Sequence, residues 1–296
     1  MRASTRAARP RTTPEEPIDA DLLRIPAGPG AVHVARYGYG GSPVVFLHGF
    51  GTSSFLWREI APVVALDGHL ALAIDLMGHG ESDRPLDVDL GIAAQAEYLD
   101  HALTALRVAR AAVVGIDLGG AVALRLAATR PERVDRLVLV NSLGFEDAPA
   151  GDVRAVQAGT ARFLLRVARG VLGAAPLVRT VLEGSVASPD AMPPRLLARY
   201  LAPFAGKDGV RHLLALARSV RAQDVHEIDP AAIEAPTLVV WGEADRWLDD
   251  RAPDRLAGAI RGSRLVRLPD VGRLVPEEAP DALLEVLLPF LRGGTD

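Results

Sequence analysis

The chain has 296 residues, 49% hydrophobic and 24% charged, with a net charge of −4. Those proportions fit a globular protein with a substantial core, and the lack of basic excess argues against nucleic acid or an anionic membrane surface as partner. There is no cysteine, which excludes disulfides, thiolate metal sites and a cysteine nucleophile.

Met1–Pro17 is rich in Arg, Thr and Pro and lacks the apolar stretch of a signal peptide. Residues 1–20 are therefore expected to form a disordered tail, and a cytoplasmic location follows as the default. No apolar run is long enough to span a bilayer. Heavy use of Ala, Arg, Gly and Pro fits a GC-rich, bacterial genome. Val/Ile/Leu-rich runs with little alternation predict strands buried on both faces at Ala31–Tyr37, Pro43–Leu47, Leu70–Ile74, Ala111–Ile116, Arg136–Val140, Pro236–Trp241 and Arg264–Leu268. Helical segments fall between them at Ile92–Val108, Gly119–Arg130, Ala252–Ile260 and Ala279–Leu291. This alternation predicts the α/β class, with a mostly parallel twisted sheet and helices on both faces.

The regularity breaks over residues 145–228. Phe163, Leu164, Val167 and Val171 recur at helical spacing, Pro and Gly interrupt, and no strand is predicted. The segment reads as a helical lid inserted between two parts of one core, residues 21–144 and 229–296. Such an insertion covers the carboxyl ends of the strands, where open α/β sheets bind ligands.

The run Val113–Gly120 joins a buried strand to an Ala-rich helix and fits G-x-Nu-x-G with Asp117 at its centre. A nucleophile on a sharp strand-to-helix turn projects into a cleft, and the small residues two positions away avoid a clash. Taken alone, the pattern equally describes an Asp that caps a helix. Upstream, Phe46-Leu47-His48-Gly49-Phe50-Gly51 follows an apolar strand. Backbone N–H groups near Phe50 and at Leu118 would there form an oxyanion hole beside His48 and Gly49.

Four motifs then occur in order: His48-Gly49, Asp75-x-x-Gly78-His79-Gly80-x-Ser82, Gly115-x-Asp117-x-Gly119-Gly120 and Gly242-x-x-Asp245. Together they make the chain resemble the α/β-hydrolase superfamily from Ala31 to Leu291. The Asp at the elbow and the stretch Thr52–Arg58 resemble haloalkane dehalogenases and epoxide hydrolases. The resemblance implies Asp117 as nucleophile and Asp245 as the acid that orients a histidine.

The histidine is missing. Gly272, Glu277, Glu278 and Pro280 fix the register, and the position is Arg273; the last histidine in the chain is His226. In the Asp-nucleophile route an alkyl–enzyme ester forms and a neutral imidazole activates the water that cleaves it. Guanidinium has no acceptor atom and does not lose its proton at physiological pH. His48 and His79 stand near the cleft by motif position and are the histidines that a rearranged mechanism would recruit. Side-chain donors that hold halide in dehalogenases are replaced by Phe50 and Leu118, and the lid holds one tyrosine, Tyr200, where epoxide hydrolases use a pair.

Three readings follow. The first is a non-hydrolytic lyase, isomerase or cyclase acting on a small, largely apolar substrate, a departure that the superfamily shows in bacterial natural-product pathways. The second is an epoxide hydrolase or dehalogenase with a rearranged base. The third is a non-catalytic scaffold in which Arg273 neutralises Asp117 and Asp245. No metal or organic cofactor is expected, because the carboxylates are not grouped with histidines at ligand spacing. The expected partner is a small-molecule substrate, and the expected assembly a monomer or homodimer.

Overall fold

The computed structural model describes residues 19–85, 87–145, 148–158 and 173–294. The expected tail up to residue 18, and the periodic positions Phe163, Leu164, Val167 and Val171, lie outside the described residues.

An eight-stranded sheet forms the centre. Its strands are β1 (Asp21–Pro26), β2 (Ala31–Tyr37), β3 (Pro43–Leu47), β4 (Leu70–Ile74), β5 (Ala111–Ile116), β6 (Val134–Val140), β7 (Thr237–Gly242) and β8 (Arg264–Leu268). Their spatial order is β1-β2-β4-β3-β5-β6-β7-β8. β2 runs antiparallel to both β1 and β4, and all later pairings are parallel. β5 and β7 are buried at every residue, as central strands covered on both faces must be. β1 was not expected from the sequence. It is a sheet edge whose residues alternate between partly buried and exposed, with Leu22 turned outward, so it carries no continuous apolar run.

The helices pack on the sheet through their apolar faces. α1 (Ala61–Leu66) and α2 (Ile92–Ala105) precede β5, and α3 (Leu118–Thr129) follows it. α3 is apolar around most of its circumference and is correspondingly buried from Leu118 to Leu124. Between β6 and β7 the described elements are helical: α4 (Gly151–Gln157), α5 (Ala175–Gly184), α6 (Pro194–Leu201), α7 (Gly206–Ser219) and α8 (Gln223–His226). The chain closes with α9 (Ala252–Ala259), α10 (Val275–Glu278) and α11 (Pro280–Leu291). Among the described residues no helix is long and apolar enough to cross a membrane.

The β5–α3 turn passes directly from strand to helix through a single residue, Asp117. Asp117 has φ 53° and ψ −118°, a left-handed backbone that costs a non-glycine residue on the order of 1–3 kcal/mol. The turn closes only because Gly115 has no side chain: a Cβ there would lie 2.4 Å from the Gly119 carbonyl oxygen. Gly115→Ala is therefore expected to destabilise the protein by about 1–3 kcal/mol through overpacking against backbone that cannot retreat. Urea denaturation with an unchanged midpoint would contradict this account of the turn.

Candidate active site

Five strand ends and one helix of the insertion converge at the carboxyl edge of the sheet. Phe50 follows β3, Asp117 follows β5, Asn141 follows β6, Asp245 follows β7, Arg273 follows β8, and Asp152 lies on α4.

Asp117 occupies the position before α3, yet its side chain does not cap the helix. One carboxylate oxygen, Oδ2, accepts a 2.8 Å hydrogen bond from the Phe50 amide. The other, Oδ1, accepts from Nη2 of Arg273. Gly49 makes room for this approach, since a Cβ there would stand 2.7 Å from Asp117 Oδ2. The capping alternative raised by the sequence is thus set aside. The Phe50 amide, expected to await a substrate oxygen, is bonded to the carboxylate itself. Leu118 begins α3 and is 2% exposed.

Arg273 is 2% exposed and bridges two acids. Nη2 meets Asp117, and Nη1 lies 3.2 Å from Oδ2 of Asp152, a carboxylate that is 1% exposed. Nε has no partner among the described residues. Burial opposes the arginine's charge, but the fields of Asp117, Asp152 and Asp245 outweigh it and hold the guanidinium above its ordinary range. For Asp117, burial raises the carboxyl, the Arg273 charge lowers it, and the like charge of Asp152 raises it again. The outcome is a carboxyl pushed up to about 6.

Asp245 departs from its expected role. Its Oδ2 accepts from Asn141 Nδ2 at 3.0 Å, and its Oδ1 accepts from the amides of Trp247 at 2.8 Å and Leu248 at 3.3 Å. With both oxygens engaged, it acts on Arg273 through its field and not through a hydrogen bond. Asn141 is locked in turn to Gly242, donating to its carbonyl at 3.1 Å and accepting from its amide at 2.8 Å.

Among the described residues neither His48 nor His79 is hydrogen-bonded to Asp117. His48 is fully buried; Nδ1 donates to the Gly49 carbonyl at 2.8 Å and Nε2 accepts the Leu76 amide at 3.1 Å. Both ring nitrogens are occupied, so His48 shapes the loop. Burial, with nearby His48 and His212, keeps His79 neutral and far below the usual imidazole range. His79 lines a cavity of about 20 Å³, room for about one water, with Thr52, Tyr200, Phe204 and His212. Tyr200 donates its hydroxyl to Glu277 Oε1, whose carboxylate also takes two bonds from Arg58, at 2.6 and 2.7 Å. It fastens α6 to the core and does not join the Asp117 cluster. Among the described residues no group of His, Asp and Glu has the arrangement of a metal site.

Sequence reasoning missed Asp152 and Asn141. Neither lies in a spaced motif, and Asp152 gains its meaning only when the fold brings α4 within reach of Arg273.

The family model for the α/β hydrolase fold matches residues 42–280. The chain belongs to the α/β-hydrolase fold family. It is 31% identical, over 86% of its length, to the dihydrolipoyllysine-residue acetyltransferase component of an acetoin cleaving system from Pseudomonas putida, and spans 65% of that relative. It is 29% identical to a haloalkane dehalogenase from Bradyrhizobium diazoefficiens, covering 94% of this chain and 96% of the relative. A ligand-free epoxide hydrolase structure superposes with a TM-score of 0.79 at 19% identity, over 93% of this chain and 99% of the other, a likeness of fold. The curated relatives named here are enzymes, and this α/β hydrolase stands among them.

Two outcomes follow from the buried cluster. Arg273→Met leaves Asp117 and Asp152 without their cation and is expected to cost about 3–5 kcal/mol at neutral pH, less in acid as the carboxyls take protons. Equal destabilisation across the pH range would refute the pairing. The second concerns Asp117 itself, whose folded pKa is raised above its unfolded value of about 3.9. A group so raised contributes stability that is full below the unfolded value and is lost as pH rises through about 6. The stability difference between wild type and Asp117→Asn should therefore shrink from about pH 4 to about pH 7. A difference that grows over that interval in chemical denaturation would show an ordinary, low carboxylate.

Proposed function

We propose that this chain is an enzyme catalysing a non-hydrolytic proton-transfer reaction on a small, largely apolar molecule, with Asp117 as the acid–base group. Elimination, isomerisation, cyclisation and decarboxylation are the reactions that such a group serves. Bacterial natural-product biosynthesis is the setting proposed for it. The observation that carries the reading is Arg273 seated on the Asp117 carboxylate. A permanent cation stands where ester cleavage requires a base, and among the described residues no histidine bonds Asp117.

The same arrangement favours proton transfer. A carboxyl pushed up to about 6 exchanges protons readily near neutral pH, the condition for efficient general acid–base catalysis. The Phe50 amide orients one oxygen and Arg273 holds the other, so the carboxyl presents a fixed lone pair or O–H. Arg273 also stabilises negative charge that develops on a substrate oxygen nearby. Val153 and Val156 of α4 and Val178 of α5 are buried apolar side chains of the segment between β6 and β7.

The haloalkane dehalogenase relative favours a second reading, in which Asp117 attacks carbon and a water is activated from elsewhere. One experiment separates them. The protein is incubated in H₂¹⁸O with small epoxides, haloalkanes and carbonyl compounds bearing a β-leaving group, followed by product analysis and intact-protein mass measurement. Proton transfer predicts isomerised or eliminated products, no alkyl adduct and no ¹⁸O in Asp117, with a loss of roughly 10²–10⁴-fold in Asp117→Asn. Diol or alcohol formed together with ¹⁸O in Asp117 would sink the proposal in favour of hydrolysis.

A further inference from the structure

We infer that Asp152 is a positioning residue: by sharing Arg273 with Asp117, α4 of the insertion controls how much of that cation the elbow carboxylate receives. The inference rests on the reading of Asp117 as the acid–base group and adds a regulator from the insertion.

The geometry gives Arg273 two carboxylate partners and one positive charge. Nη2 goes to Asp117 and Nη1 to Asp152, at opposite ends of one planar fork. Asp152 is as deeply buried as its partner, and among the described residues its remaining oxygen Oδ1 accepts the Val153 amide next to it, at 2.8 Å. A buried carboxylate needs a cation, because an unpaired one costs several kcal/mol, roughly. Arg273 is the cation that pairs with Asp152 among the described residues. The charged groups facing Asp117 are then Arg273 from the turn after β8, Asp152 from α4 and, through its field, Asp245 from the turn after β7.

Two acids on one guanidinium leave a net negative charge that a single proton cancels. With α4 docked, Asp152 draws on Arg273 and adds a like charge, so Asp117 holds its proton more tightly. With α4 lifted, Arg273 is released to Asp117, which becomes an ordinary ionised carboxylate. Docking of α4 and protonation of Asp117 are linked, and linkage is reciprocal. Docking raises the proton affinity of Asp117; protonation of Asp117 must therefore favour docking, and docking weakens as pH rises through the Asp117 midpoint.

The test uses the full chain with ¹³C-labelled aspartate carboxyls, the Asp117 signal being assigned by its loss in Asp117→Asn. In Asp152→Asn, which keeps shape and removes charge, the Asp117 midpoint should fall by about a unit, a tenfold drop in proton affinity. An unchanged midpoint, or a higher one, would overturn the inference. A second measurement needs no variant. In the wild type, hydrogen exchange at the Val153–Gln157 amides, corrected for intrinsic pH dependence, should accelerate as pH passes the Asp117 midpoint. Protection that is flat across that range would also overturn it. The two readings fail separately: a midpoint that shifts as expected, beside a catalytic rate indifferent to Asp117→Asn, would leave the coupling standing and remove the proposed chemistry.

Discussion

Arg273 is buried, permanently charged and unable to accept a proton, and it stands between Asp117 and Asp152. A guanidinium in such a place must be neutralised by carboxylates, and those carboxylates must be brought to it. The strained turn at Asp117, the glycine at position 49 and the approach of α4 to Arg273 all serve that meeting. The remaining polar groups are arranged around it. Asp245 is turned to Asn141 and to its own loop, which keeps a third acid near the arginine without a third hydrogen bond. Such a cluster adds little net stability, because desolvation consumes most of the attraction.

An elbow carboxylate, a backbone donor and a strand-end acid are all present in this α/β hydrolase. Beside them stands Arg273, a group that has no acceptor atom and keeps its proton.

Much of this was legible in the chain. Strands β3 to β7 carry dense apolar runs, and the parallel core follows from their alternation with helices; β8, expected to be buried on both faces, is an edge strand with no buried residue, its two arginines reaching outward. Asp117 and Arg273 were identifiable because fixed glycine and acid spacings mark their turns. The edge strand β1 escaped notice because Leu22 and its neighbours alternate in exposure and form no apolar run. Asp152 escaped because its charge has meaning only through a contact with a residue far along the chain. Asp245 misled for a related reason: its position was right, but Asn141, which saturates one of its oxygens, sits in no motif. Tyr200 read as a candidate donor to substrate, and only the fold shows Glu277 already holding it.

The two adjacent acids of α10 have divided duties. Glu277 holds Arg58 and Tyr200, while Glu278 takes the amides of Gly272, Ala187 and Ser188 at 2.6, 3.0 and 2.7 Å. Leu274 also donates to the Ser185 carbonyl at 3.0 Å. The turn that carries Arg273 is thus stitched to the chain just after α5. Insertion and turn form one module split across the sequence. A transplanted insertion from another member of the family would arrive without its counterpart residues at 272–278, and the arginine's backbone would lose its footing before any catalytic group had been altered.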